Sequence, residues 1–248
     1  MALLEVQHVI KSFGGLVANK DISFAAAPGE LLAIIGPNGA GKTTLFNGIA
    51  GTHPINSGKV IFDGRDITAL KAHQIARLGL TRTFQIYAAS GDLTVRENVM
   101  VGCFLKTASR SVANARATRI LKEFQIEHLS ASLVRELPTA AQKRVVMAAA
   151  LATGPKLLLL DEVAAGLTPH EVDSMVSTIR FIHEDLGLTV ILIEHVMEMV
   201  MNLCHRVIVL DYGEKIAEGE PREVTKDPRV IKAYLGERYA RDYMAKPD

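Results

Sequence analysis

The sequence is poor in several features, and each absence excludes a class of protein. It contains no tryptophan and only two cysteines, Cys103 and Cys204, which form no CxxC spacing. Two cysteines at this spacing favour small hydrophobic side chains in the core of a protein from a reducing compartment. No apolar run approaches the ~18 residues of a membrane-spanning helix. Two of the apolar runs, residues 157–160 and 190–193, each end at a carboxylate.

An excess of charge of either sign is also absent. The 248 residues include 28 Lys and Arg and 27 Asp and Glu, a formal net charge of +1. This balance argues against a protein that holds nucleic acid or an acidic membrane by bulk charge. The first residues reach Glu5 without a basic region, so we expect no secretion signal. The composition is that of a soluble globular protein with ample length for a core, and we expect it in the cytoplasm.

Apolar runs that alternate with helical patterns predict an α/β sheet. Residues 31–35, 157–160 and 189–193 are almost wholly apolar, as expected of strands covered on both faces. Residues 4–10 alternate and predict a half-exposed strand, and residues 206–218 predict a late hairpin. The sequence therefore predicts an α/β core with an antiparallel β portion.

The middle of the chain has no strong strand signal. Residues 112–124 show apolar side chains at helical spacing. We predict a helical subdomain at residues 94–151, inserted into the α/β core formed by residues 1–93 and 152–248.

A glycine-rich segment fits the pattern G-x-x-x-x-G-K-[ST] and lies between a predicted strand and a predicted helix, the context that this phosphate-binding motif requires. Its glycines let the backbone wrap a phosphate, and its N–H groups and the helix N-terminus supply donors. Lys42 is expected to neutralise the β- and γ-phosphates of a nucleotide, and the Thr43 hydroxyl to bind Mg²⁺. The segment consists of Gly36, Pro37, Asn38, Gly39, Ala40, Gly41, Lys42 and Thr43.

Two carboxylates follow the apolar run at residues 157–160, where parallel sheets present ligand sites. Asp161 is expected to hold Mg²⁺ through water, and Glu162 to act as the general base that activates water against the γ-phosphate. An acidic strand end without a ligand is the alternative for this pair taken alone. Together with the phosphate loop, the pair indicates ATP hydrolysis.

Over nearly its whole length the sequence resembles the nucleotide-binding subunit of an ABC transporter. The motif order matches: phosphate loop, Thr83-Phe84-Gln85, a helical segment, Asp161-Glu162, then Ile193-Glu194-His195. The resemblance implies a P-loop NTPase core of ABC type. It implies that Gln85 contacts Mg²⁺ and the attacking water and links the site to the transmembrane partner. It also implies that His195 contacts the γ-phosphate.

The same resemblance implies that Phe13 stacks on adenine, and that Thr44 joins the phosphate-loop residues in binding ATP. Taken alone, Phe13 also fits a core phenylalanine, and His195 a structural residue.

Further segments resemble the branched-chain amino acid uptake subfamily. This implies an ATP-hydrolysing motor of an importer, for branched-chain or related amino acids or small polar solutes. The implied partners are a second ATPase subunit, transmembrane permease subunits and, indirectly, a solute-binding protein, with no nucleic acid. The implied location is the inner face of the cell membrane. Lipopolysaccharide-export ATPases share the tail pattern but resemble the chain less around Phe13 and Gln85. The matching segments are residues 12–16, 63–68, 75–85, 93–99 and 233–237.

The chain departs from its family at the second phosphate-binding element, usually Leu-Ser-Gly-Gly-Gln at a helix N-terminus. The ungapped match puts Pro138 at the serine position and Ala140 at the second glycine position. A register shifted by one puts Thr139 and Gln142 at the serine and glutamine positions. Because proline lacks an N–H but is tolerated in a first helical turn, we expect the fold to survive and the phosphate contact to be lost. The degenerate segment is Leu137, Pro138, Thr139, Ala140, Ala141 and Gln142.

This departure predicts an asymmetric heterodimer. The chain's own hydrolytic residues are intact, whereas its altered element serves the partner's nucleotide. We therefore expect one competent and one weak ATP site, with a homodimer of two weak sites as the competing account. Two further alternatives are a non-transport ABC ATPase and a weakly active regulatory subunit.

Overall fold

The computed structural model describes residues 1–83 and 89–235. Gln85, a predicted site residue, lies outside the described residues. The described strands are β1 Leu4–Phe13, β2 Leu16–Ala26, β3 Leu31–Ile35, β4 Ser57–Phe62, β5 Arg65–Asp66, β6 Leu80–Arg82, β7 Leu157–Asp161, β8 Thr189–Ile193, β9 Arg206–Asp211 and β10 Glu214–Gly219. The helices are α1 Lys42–Ile49, α2 Ala72–Leu78, α3 Val95–Cys103, α4 Arg110–Glu123, α5 Thr139–Ala152, α6 Pro169–Arg180, α7 Met197–Leu203 and α8 Pro221–Val224.

The chain divides into two compact units. The first comprises Met1–Lys71 and Ile191–Asp248, and the second comprises Ala72–Val190. The division passes through β8. The mixture of parallel strands, antiparallel strands and helices confirms the predicted α/β class. The predicted domain boundaries at residues 93/94 and 151/152 stay a prediction.

The first unit contains the predicted antiparallel β portion. Strands β2, β1, β4 and β5 lie side by side in that order. β1 is antiparallel to both β2 and β4. Its residue Leu4 faces Ala26 of β2 on one side and Phe62 of β4 on the other. β9 pairs with β10 in the predicted hairpin and with β3 in parallel.

Burial explains the apolar strand β3. All five of its residues are buried, as expected of a parallel strand covered on both faces. In α1, the side chains of Leu45, Phe46 and Ile49 are buried, so the helix turns one apolar face inward. The glycine-rich segment therefore connects a fully buried strand to a helix whose apolar face is buried.

The second unit carries the carboxylate strand and the helical segment. β6 lies parallel to β7, with Arg82 facing Leu159. α3 begins with a capping box between Thr94 and Glu97, which satisfies its first amides. Between β6 and β7 the described residues contain no further strand, only the isolated bridge between Thr94 and Leu133.

Cys103 and Cys204 are buried and form no disulfide. Within residues 1–83 and 89–235, no helix has both the length and the apolar character needed to cross a bilayer.

Candidate functional site

The phosphate loop of the first unit needs glycine at two positions. Gly36 has φ 148° and Gly41 has φ 97°. A Cβ on Gly36 would lie 2.0 Å from the carbonyl oxygen of Leu210, and one on Gly41 would lie 2.2 Å from that of Ala18. Both neighbours are backbone atoms, so neither position admits a side chain. The loop conformation thus depends on the two glycines that frame the motif.

Lys42 is held by its own loop. Its ammonium donates to the carbonyl oxygens of Gly36 at 2.7 Å and of Pro37 at 2.8 Å, and the residue is 4% exposed. A buried lysine stays charged only with such partners. The structure therefore places the cation of the motif within its loop.

Asn19 supports the loop from β2. The buried Asn19 amide donates to the Gly41 carbonyl oxygen at 3.0 Å. Gly213 in the β9–β10 turn donates its N–H to the Ala40 carbonyl oxygen at 3.1 Å. The end of the loop is thus fixed by β2 on one side and by the hairpin turn on the other.

The Phe13 ring is accessible. Phe13 ends β1 and is 47% exposed, so the alternative of a core phenylalanine is wrong. The Lys11 ammonium lies 4.6 Å from the ring centroid, and the ring of His53 meets it edge-on at 6.3 Å. An exposed aromatic face of this kind is suited to stacking on a base.

Tyr234 is a residue near the loop to which the sequence analysis gave no role. It lies in the helical residues 228–235 and lines a cavity of about 280 Å³ with Ile35 and Met197. Tyr234 is 39% exposed, and its partial burial raises its pKa to about 12, whereas the hydrogen bond with the Gly36 backbone lowers that pKa. The contact with Gly36 ties the carboxyl-terminal segment to the phosphate loop, which sequence spacing could not indicate.

His195 follows the buried strand β8. Glu194 is 1% exposed, whereas His195 is exposed at the surface of the first unit. The His195 N–H donates to the Glu194 carboxylate at 3.3 Å. The structure therefore presents His195 where a ligand can reach it.

In the second unit, Asp161 is buried against Arg82. An Arg82 guanidinium nitrogen lies 2.6 Å from Asp161 Oδ2, and the two side chains are 4% and 0% exposed. Asp161 also donates its N–H to the Thr83 hydroxyl at 3.3 Å. Arg82, which ends β6, thus holds the Asp161 carboxylate, and the next residue, Thr83, holds the Asp161 backbone. The sequence analysis gave Arg82 no role, because the short strand β6 was not predicted.

Glu162 has a special backbone conformation. Its φ is 49°, in the left-handed region that side-chain-bearing residues rarely adopt. The turn that follows is closed by the Ala165 N–H, which donates to the Glu162 carbonyl oxygen at 3.2 Å. The strand therefore ends sharply at the predicted general base.

The degenerate segment forms the start of α5. Pro138 occupies the N-cap position, and no side chain caps the helix there. The side-chain amide of Gln142 donates to the Leu137 carbonyl oxygen at 2.7 Å. The helix forms despite the proline, as the sequence analysis expected, and the N-cap position offers neither a hydroxyl nor an N–H.

The predicted site residues are distributed over both units. Phe13, the phosphate loop and His195 belong to the first, and Asp161, Glu162 and the degenerate segment to the second. Within each unit the structure brings together one group: Lys42 with its loop, and Asp161 with Glu162.

The predicted metal ligands have suitable chemistry. Thr43 and Asp161 offer oxygen atoms, which Mg²⁺ prefers, and Mg²⁺ commonly binds through one or two protein ligands together with water and phosphate. The described residues contain no cluster of three or more His, Cys, Asp or Glu that would suit an all-protein metal cage. Each of the two side chains therefore has the donor chemistry of an Mg²⁺ ligand.

Two family models match the chain. One, described as ABC transporter, matches residues 19–165. The other, described as branched-chain amino acid ATP-binding cassette transporter, matches residues 214–240.

Two curated relatives match over nearly the whole chain. The high-affinity branched-chain amino acid transport ATP-binding protein BraF of Pseudomonas aeruginosa is 35% identical, with 95% of this chain and 98% of BraF covered. The lipopolysaccharide export system ATP-binding protein LptB of Escherichia coli is also 35% identical, with 96% of this chain and 98% of LptB covered.

The fold resembles a crystal structure of a nucleotide-free ATP-binding cassette from an ABC transporter. The TM-score is 0.87 at 30% identity, with 96% of this chain and 100% of that chain covered. This similarity confirms the predicted fold class, a P-loop core of ABC type.

Proposed function

We propose that this chain, which belongs to the ABC transporter family, is the motor subunit of an importer for branched-chain or related amino acids or small polar solutes. Family membership makes the chain an ATP-binding cassette ATPase. The observation that carries the importer assignment is the match of residues 214–240 to the branched-chain amino acid model. The identity to BraF supports it.

Nucleotide binding is proposed for residues of the first unit. Phe13 stacks on adenine, and the amides of the phosphate loop contact the phosphates, with Thr44 beside them. Lys42 exchanges the carbonyl oxygens of Gly36 and Pro37 for the β- and γ-phosphates, which bear full negative charge. The accessible face of Phe13 supports the first of these roles.

Hydrolysis is proposed to rest on Glu162 and His195. The Glu162 carboxylate accepts a proton from water as that water attacks the γ-phosphate. His195 contacts the γ-phosphate and keeps it in line, and Gln85 orients the water.

Magnesium is proposed to bind through Thr43, Asp161 and Gln85. When bound, it neutralises charge on the β- and γ-phosphate oxygens. Asp161 is already fixed by Arg82 and Thr83, so the chain holds this ligand in place before a cation arrives.

Asymmetry between two ATP sites is also proposed. The N-terminus of α5 faces the partner's nucleotide, and Pro138 deprives that nucleotide of a hydroxyl and an N–H. A second ATPase subunit with an intact element would complete the site built on Lys42, Asp161 and Glu162. The N-cap without side-chain bonds supports this asymmetry. It also supports the second candidate function, a regulatory subunit with slow turnover.

The proposed location is the cytoplasmic face of the cell membrane, where permease subunits bind the chain. A solute-binding protein is an indirect partner. The balanced net charge of +1 supports docking on protein surfaces in preference to nucleic acid or lipid headgroups.

The assembled complex tests the proposal. The chain is co-purified with its partner ATPase and permease subunits, reconstituted in vesicles, and supplied with the solute-binding protein and labelled leucine. We expect uptake that requires ATP and is abolished by Glu162→Gln. Uptake unaffected by Glu162→Gln would refute the motor role. If Glu162→Gln leaves most ATPase activity, the asymmetric model is wrong. ATPase activity without uptake of any amino acid or other small polar solute would refute the solute class.

A further inference from the structure

The helix that carries the degenerate element contacts the residue that carries the general base. Lys143, in the second turn of α5, donates from its ammonium to the Glu162 carbonyl oxygen at 3.1 Å. Both residues are half-buried and both belong to the second unit. A hydrogen bond from a charged donor is stronger than a neutral one.

The acceptor of this bond lies in a conformation that needs support. Glu162 has φ 49°, and residues with side chains hold this region only when their surroundings fix it. The Ala165 N–H fixes the same carbonyl oxygen from within the turn. Lys143 supplies the contact from outside the turn and orients the whole peptide.

The next residue of α5 extends the attachment. The Arg144 guanidinium donates to the hydroxyl of Ser174 on α6. Consecutive basic residues thus connect α5 with both sides of the segment that joins β7 to α6. The direction of the Glu162 side chain is therefore tied to the position of α5.

We propose that Lys143 is a positioning residue that holds the Glu162 peptide in its left-handed conformation and couples it to α5. The proposal rests on the proposed function, in which α5 meets the partner's nucleotide and Glu162 serves the chain's own. Lys143 then makes the placement of the general base depend on the engagement of α5 with the partner subunit.

Two variants separate positioning from folding. Lys143→Met keeps the aliphatic stem and removes the donor, whereas Lys143→Arg keeps a charged donor. In the assembled complex we expect Lys143→Met to lower kcat about tenfold, the loss expected when a hydrogen bond from a charged donor no longer holds the general base in place in the transition state. The KM for ATP should stay within about twofold, because Lys143 contacts no part of the nucleotide in this scheme. Lys143→Arg should restore most of kcat.

Hydrogen exchange of the isolated chain provides a readout that does not depend on hydrolysis. We expect Lys143→Met to speed amide exchange at residues 163–167, and Lys143→Arg to do so much less. Lys122→Met is the control. Lys122 is 63% exposed in a surface ion pair with Glu127, and its replacement should change neither exchange in this segment nor kcat.

The outcomes distinguish the two proposals. Unchanged exchange at residues 163–167 in Lys143→Met would overturn the positioning role, whatever the ATPase activity. So would an equal loss of kcat in Lys143→Met and Lys143→Arg. If the wild-type complex transports nothing, the importer function fails, while the exchange data still decide on Lys143.

Discussion

An Arg82 guanidinium nitrogen lies 2.6 Å from Asp161 Oδ2, with both side chains buried. This ion pair joins the ends of two parallel strands, β6 and β7. It places a cation on the carboxylate to which we assign Mg²⁺, so the negative charge of Asp161 is compensated in the protein itself.

Replacing Arg82 by Met should destabilise the fold. Removing one partner of a buried ion pair leaves an uncompensated charge, at a cost of about 3–5 kcal/mol. Urea unfolding measures the loss. The double variant with Asp161→Asn should regain part of it, because no unpaired charge then remains.

The matched control is Arg119→Met. Arg119 is 81% exposed and pairs with Glu123 one helical turn away, so its removal should change stability by less than about 1 kcal/mol. Equal losses in the free energy of unfolding for the two replacements would show that the buried Arg82 ion pair stabilises the fold no more than a surface ion pair does.

Phe13→Ala should weaken ATP binding and leave stability nearly unchanged. Stacking of a base on an aromatic ring contributes about 1–3 kcal/mol, so the Kd for ATP should rise by about 5- to 150-fold. Phe13→Tyr should bind like the wild type. Leu16→Ala, at the neighbouring strand and 68% exposed, is the control and should not alter the Kd. A large loss of stability with an unchanged Kd would assign the ring a structural role instead.

Gly36→Ala should disrupt the conformation of the phosphate loop. The added methyl would lie 2.0 Å from the Leu210 carbonyl oxygen, a backbone atom that cannot turn away. Calorimetric titration with ATP should detect no binding. Gly15→Ala is the control, since nothing lies within 4 Å of a Cβ there. Binding by Gly36→Ala similar to that by Gly15→Ala would refute the steric requirement.

Tyr234 should make stability depend on alkaline pH. Burial raises its pKa to about 12 from 10.0, so the folded state binds the phenolic proton more tightly than the unfolded state. The contribution of the protonated Tyr234 phenol to the free energy of unfolding is therefore complete below pH 10 and is lost as the pH rises towards 12. Unfolding midpoints across that interval, compared with Tyr234→Phe, measure it.

The phenylalanine variant lacks the titrating group, so its stability should fall less steeply with pH. Parallel curves for the two proteins would contradict the raised pKa. Ultraviolet absorbance of the phenolate gives an independent titration of Tyr234.

Local patterns predicted much of the fold. The apolar runs gave β3, β7 and β8 nearly to their ends, because a buried parallel strand needs no polar face. The short strand β6 was not predicted, because three residues are too few to show a strand pattern. The helix α6 was not predicted either, although Thr168 and Glu171 form a capping box at its start.

The sequence by itself determined the phosphate loop, the carboxylate pair and the altered element, because each is a run of covalently linked residues whose spacing dictates local geometry. The tertiary structure decided which distant groups support them. Arg82 and Asp161 are 79 positions apart, and Lys143 and Glu162 are 19 apart. Such contacts arise only when buried apolar strands and helices pack, and no local pattern encodes which side chains that packing brings together. The exposure of Phe13 was decided in the same way, by what packs around β1.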